Sequence, residues 1–205
     1  MDFMIISIIL GLVFIAMFAG LALYMGDSNF FKKRQNENGA KSAYERAVRN
    51  VSTLKNFTVM GRTTVSFEGE EYTFDNLLLS EYGTIAVNAV YEKGDIYGNA
   101  NDDEWVCVPT AAVSIKHYFA NPVKSQLGVV RFFKEIYKKE KVKGGFSDSC
   151  VVFPYSKTEL YVTPKHINAF TLAGFKEKLN DAKYAADNKA DVEAMKAAIE
   201  KYTVK

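Results

Sequence analysis

Two cysteines, two histidines and four prolines are all that the 205 residues provide of these types. Two histidines are little material for a histidine-rich metal centre or a serine-histidine-aspartate triad, so His117 and His166 are read as solvated or hydrogen-bonded side chains. Cys107 and Cys150 stand far apart inside apolar segments, Trp105-Val106-Cys107-Val108 and Cys150-Val151-Val152-Phe153. They are expected as ordinary buried thiols rather than a disulfide or a nucleophile. An excess of charge is missing too: 26 bases against 24 acids give a formal net charge of +2. That balance excludes a strongly basic nucleic-acid binder and leaves room for a local basic patch. Gly94 and Gly98 are not followed by the Gly-Lys-Ser/Thr ending of a phosphate loop. No internal repeat or low-complexity tract is visible, and the length excludes a large multidomain machine.

What the chain does have is a front-loaded supply of apolar residues. Of the first 26 residues 21 are hydrophobic, and residues 4–25 form a run of 22 without a charge. As a helix that run spans about 33 Å, enough for a hydrocarbon core of roughly 30 Å. Gly20-Leu21-Ala22 has the small residues of a signal-peptidase site. The run is nevertheless longer than the roughly 7–15 apolar residues of a signal peptide, and no base precedes it. Residues 1–26 are therefore expected as a single transmembrane anchor, with the lipid bilayer as the first partner. Lys32, Lys33 and Arg34 follow the run, which by the positive-inside rule puts the N-terminus outside and the C-terminal domain in the cytoplasm, in a single-pass cell-membrane protein.

Residues 27–39 are polar and read as a tether. The pattern then predicts a helix over 40–54 with Ala43, Ala47, Val48, Val51 and Leu54 on its apolar face. Strands are predicted at 58–67, 72–79, 84–90, 95–97 and 105–108, with turns at Glu68-Gly69-Glu70 and Glu81-Tyr82-Gly83. Asn121-Pro122 starts a helix running to about residue 137, because Asn accepts free first-turn N–H groups and Pro tolerates the first helical position. A strand at 150–153, short segments at 160–163 and 167–170, and closing helices at 172–185 and 189–202 complete the order. That order predicts an α/β fold, with α+β as the variant, around a mixed central sheet flanked by helices. Lys134, Lys138, Lys139, Lys141 and Lys143 alternate with Glu135 and Glu140. Such mixing reads as a solvated helix face, with contact to anionic lipid or nucleic acid as the sharper alternative.

One stretch carries more than pattern. It contains Asp75-Asn76, Tyr82-Gly83, Asn88-Ala89-Val90 and Lys93-Gly94-Asp95-Ile96-Tyr97-Gly98, with Trp105 beyond it. This run resembles the nuclease-related domain family. Members of that family end a strand with Asp-His, enter the next through Tyr-Gly, carry Glu-x-Lys on it, and continue with Lys-Gly-x-Ile-x-Gly and a Trp. Phe119-Ala120-Asn121-Pro122 and Val151-Val152-Phe153-Pro154 resemble later family segments. The resemblance covers about residues 40–170, leaving 171–205 as a C-terminal helical segment. It implies a PD-(D/E)XK, restriction-endonuclease-like frame.

The resemblance also implies a chemistry. A divalent metal such as Mg²⁺ or Mn²⁺, held by carboxylates, activates water against a phosphodiester, and a lysine two residues after the glutamate shares its strand face and steadies the charge. Carried over position by position, this sequence keeps only part of the set. Asp75 matches the metal-binding Asp, Asn76 replaces the adjacent His, Asn88 stands in place of the Glu and Val90 in place of the Lys. Tyr44-Glu45 resembles an upstream Gly-Glu, so Glu45 is a candidate retained acid. Ser125 and Val129 stand where the family has Gln and His. Asn88 still offers a carbonyl oxygen; Val90 offers nothing polar. Glu45, Asp75, Asn88 and Val90 are thus read as a vestigial site, with Asp75 and Glu45 as metal ligands only if it is active. Lys93 has the opposite strand parity to Val90 and would point to the other face, so a rescuing cation is looked for in Lys124 or Arg131 on the following helix. The expected function is a binding or regulatory module without catalysis or a small-molecule cofactor, its partner a nucleic acid or a membrane protein. The alternatives are a Mg²⁺-dependent nuclease at the membrane built on Glu45, Asp75 and a relocated lysine, and a structural interaction protein.

Overall fold

A computed structural model of the chain describes residues 28–109, 115–143, 145–165 and 167–204, with side chains from residue 37 onward. The expected anchor over 1–26 and His166 lie outside the described residues. Among the described residues no helix is long and apolar enough to cross a membrane. The chain divides into two compact units, Met1–Gly39 and Ala40–Lys205. The described part of the first is the opening of helix α1 (Ser28–Lys55), which starts well before the predicted residue 40, so the polar stretch is helical from Ser28.

The second unit continues α1 with β1 (Thr58–Met60), β2 (Thr63–Phe67), β3 (Glu70–Phe74), β4 (Asn76–Ser80), β5 (Gly83–Ala89), β6 (Asp95–Asn99), β7 (Glu104–Val108) and β8 (His117–Ala120). A 3₁₀ turn (Lys124–Gln126), α2 (Val129–Lys139), β9 (Phe146–Phe153), β10 (Leu160–Thr163) and β11 (Ala169–Thr171) come next. The chain closes with α3 (Leu172–Lys178), a second 3₁₀ turn (Ala182–Ala185) and α4 (Val192–Lys201).

The central sheet has the order β1-β4-β5-β9-β11. It is mixed: β1/β4 and β4/β5 are antiparallel, β5/β9 and β9/β11 parallel. Helices cover both faces, and strand alternation distributes the side chains between them. Leu77, Leu79 and Ala86 join Phe133 and Ile136 of α2 and Met195 and Ile199 of α4 in one core. Leu78, Ile85, Val87 and Val152 meet Tyr44, Val48 and Val51 of α1 and Phe175 of α3 in the other. Burial on both faces is why Leu77-Leu78-Leu79 reads as an unbroken apolar run. The mixed sheet flanked by helices is the architecture that the sequence predicts.

A second sheet, β10-β6-β7-β8, packs Ile96, Trp105 and Cys107 against Val151, Phe153 and Ala169. Gly98 makes room there: a β-carbon on it would overlap the Trp105 indole, whose Nε1 donates to the Asn99 carbonyl at 2.9 Å. The Gly and the Trp of the motif thus meet in one packing contact.

Several boundaries differ from the pattern reading. The predicted strand over 58–67 breaks at Gly61-Arg62, and the one over 72–79 breaks at Asp75. The Asn121 side chain does accept from the N–H groups of Val123 and Lys124, at 2.9 and 3.3 Å. Only a 3₁₀ turn follows, and Gly128, at φ 93°, lets the chain turn before α2 begins. Strand β8 has no counterpart in the prediction. Leu54, placed on the apolar face of the first helix, is 81% exposed, and Ala40 and Tyr44 take that face instead.

Candidate functional site

The break between β3 and β4 lifts Asp75 out of the ladder beside the end of β5, where Asn88 lies. The Asn88 side chain holds the backbone of Asp75 and Thr73, and the Asp75 side chain holds that of Ala89. The Asp75 N–H donates to Asn88 Oδ1 at 2.9 Å, Asn88 Nδ2 donates to the Thr73 carbonyl at 3.1 Å, and the Ala89 N–H donates to Asp75 Oδ2 at 2.9 Å. This clasp depends on an amide at position 88. The Asn88 amide accepts from Asp75 and donates to Thr73 at once, which an ionised carboxylate cannot do. Asn88, which the resemblance aligns with the family's Glu, therefore has its own structural task.

Val90 extends past β5, its N–H donating to the Val152 carbonyl at 2.8 Å, and its side chain packs on the Ile96, Trp105 and Phe153 cluster. Glu45 is exposed on α1, and its neighbour Tyr44 is the residue turned inward. The Tyr44 hydroxyl is buried without a partner among the described residues, and burial, together with the nearby Asp75 carboxylate, pushes its pKa up. The repeat Ala40, Tyr44, Ala47, Val48, Val51 carries that signal, because Glu45 falls off the stripe.

The candidate rescuing cations are engaged elsewhere or turned to solvent. Lys124 Nζ lies 2.6 Å from Asp103 Oδ1, Arg131 pairs with Glu70, and Lys93 is exposed. The cation that does approach Asp75 is Arg62, with Nη1 4.0 Å from Oδ1. The break at Gly61-Arg62 places it there, and nothing in the local sequence marks it. Ser125 donates to the Pro122 carbonyl at 2.7 Å, and Val129 is buried under α2.

Whether these residues suit a divalent cation follows from their free lone pairs. Asp75 has one oxygen on Ala89 and the other toward Arg62, Asn88 Oδ1 is taken by Asp75, and Glu45 faces solvent. Among the described residues no three of His, Cys, Asp and Glu come together as a metal-holding group. A hard cation wants several oxygen ligands, and this donor set does not fit one.

A second polar cluster escaped the sequence reading. Asp148 on β9 accepts from Lys183 Nζ and the Tyr184 hydroxyl, both at 2.7 Å, and from Asn168 Nδ2 at 3.1 Å. Burial alone would raise its pKa; the hydrogen bonds from Lys183 and Tyr184 outweigh it and hold the carboxyl below its ordinary 3.8. It ties the sheet to the 3₁₀ turn before α4. The thiols behave as expected: both cysteines are free and buried, and burial pushes Cys107 up to about 11, leaving it protonated at neutral pH. His117 Nδ1 pairs with Glu92 Oε2 at 3.0 Å.

The family model of the nuclease-related domain matches residues 32–154, more than half of the chain. Neither the curated proteins nor the solved structures give a match to it. The match takes in the Asp75–Asn88 clasp, the Gly98–Trp105 contact and the strands that carry them, and the chain belongs to the nuclease-related domain family.

Proposed function

We propose that this protein is a membrane-anchored member of the family, on a restriction-endonuclease-like frame, that has given up phosphodiester cleavage and works as a binding or regulatory module. The observation that carries the reading is the clasp: one Asp75 oxygen and both ends of the Asn88 amide engage backbone groups, and position 90 is apolar and packed. Losing one positioned acid, base or charge donor costs about 10²- to 10⁴-fold in rate, and here two such positions differ from the family pattern. The anchor and the cytoplasmic placement rest on the apolar run over 4–25 and on Lys32, Lys33 and Arg34. The partner is a nucleic acid or a membrane protein.

One observation favours a second reading. Arg62 beside Asp75 puts a cation at the site without the strand lysine, so a metal-dependent nuclease would use Asp75, Glu45 and Arg62 rather than a relocated lysine. The full chain incubated with single- and double-stranded DNA and RNA, in Mg²⁺ and in Mn²⁺, separates the two. No cleavage above the buffer control is expected; cleavage that Asp75→Ala abolishes would establish the second reading. Salt-dependent binding of the same nucleic acids identifies the partner class, and its absence at low salt points to a protein partner and a structural role.

A further inference from the structure

The charged run over residues 134–143 is not uniformly solvated. Lys139 Nζ lies 3.4 Å from Glu68 Oε1 and 4.7 Å over the Phe67 ring, and Glu140 is held by Lys201 and the Tyr202 hydroxyl. Glu135 is exposed and joins no ion pair among the described residues. Lys134 and Lys138, one turn apart on α2, likewise have neither a hydrogen bond nor an ion pair among the described residues. Both border a cleft of about 430 Å³ whose other walls include Val130, Val142, Phe146 and Ser147, and no acid lines it. Val130 and Phe146 are 46% and 58% exposed.

Two unpaired ammonium groups beside an apolar wall ask for an anion that carries hydrocarbon. A phosphate ion or a nucleic-acid backbone would pair the lysines and leave Val130 and Phe146 in water. An apolar peptide would cover those two and leave the ammonium groups desolvated. We propose that this cleft takes the headgroup and upper acyl chains of an anionic phospholipid, laying α2 and the start of β9 on a negatively charged bilayer surface. Exposed apolar residues beside lysines are the pattern of interfacial binding, and each lysine near such a surface strengthens it about fivefold. The site does not depend on the N-terminal anchor, which would only raise its local lipid concentration.

The test uses the full chain with nanodiscs of phosphatidylcholine alone or of a two-to-one mixture with phosphatidylglycerol. Recovery with the discs and amide hydrogen exchange over 129–147 are both read. Exchange in that segment should slow severalfold only in the anionic discs. Lys134→Gln with Lys138→Gln should weaken the protection roughly 25-fold in phosphatidylglycerol dependence. Phe146→Ser should weaken it too, and unchanged exchange elsewhere shows that each variant is folded. A chain absent from neutral discs but held on anionic ones through these lysines supports the site and sinks the anchor. Equal exchange in both discs overturns the proposal, as does absence from both. Protection reproduced in neutral discs by inorganic phosphate or single-stranded DNA overturns it as well.

Discussion

At the scale of single residues, Asn88 and Asp148 carry the most. Asn88→Ala removes one partner from the Asp75 N–H and a side-chain donor from the Thr73 carbonyl, at a cost of about 1–2 kcal/mol in denaturant unfolding. Asn88→Glu, which returns the family's acid, should also destabilise the chain by about 1 kcal/mol or more, because a carboxylate cannot donate to Thr73 and adds a charge beside Asp75. An unchanged denaturation midpoint in both variants would mean that the clasp is idle. Asp148 makes a pH prediction. Its folded pKa lies below the ordinary 3.8, so its stabilisation is complete above that value and disappears as pH falls through the lower folded value. Asp148→Ala should cost about 2–3 kcal/mol at pH 7 and flatten the acid limb of the stability profile, measured by urea titration from neutral to strongly acid pH.

At the scale of elements, the contact between β6 and β7 is the part most easily probed. Gly98→Ala forces the Trp105 ring off its seat, with a cost of about 1–3 kcal/mol. Trp105 is the chain's one tryptophan, so its emission reports the shift directly: a red shift is expected, and an unmoved spectrum with unmoved stability would refute the contact. The elements also show what the pattern could and could not reveal. Leu77-Leu78-Leu79 announced itself, because burial on both faces of a sheet leaves an unbroken apolar run. The helix break before α2 was less legible: Gly128 at positive φ interrupts a run that the apolar spacing makes look continuous. The breaks at Gly61-Arg62 and at Asp75 leave almost no imprint, since the hydrogen bonds that stabilise the second one join residues thirteen to fifteen apart. For the same reason the resemblance, which singled out Asp75, Asn88 and Val90, gave no hint of Arg62, of Tyr44 turned inward, or of the Asp148 cluster.

At the scale of the whole molecule, the proposed function keeps the family's frame and gives up its chemistry. The strands, the mixed sheet and the Gly98–Trp105 contact are kept, whereas positions 88 and 90 serve hydrogen bonding and packing. The proposed anchor makes its own prediction: the full chain should remain in the membrane fraction after an alkaline carbonate wash, and a chain lacking residues 1–26 should leave it. Release of the full chain by the wash would refute the anchor. The most direct test of the central claim asks whether Asp75 is free to hold a metal. Titration of the full chain with Mn²⁺, with free Mn²⁺ read by electron paramagnetic resonance, should show no stoichiometric site, and Asp75→Ala should leave the curve unchanged. One Mn²⁺ bound per chain and lost in Asp75→Ala would contradict the claim and return the protein to the metal-dependent nucleases.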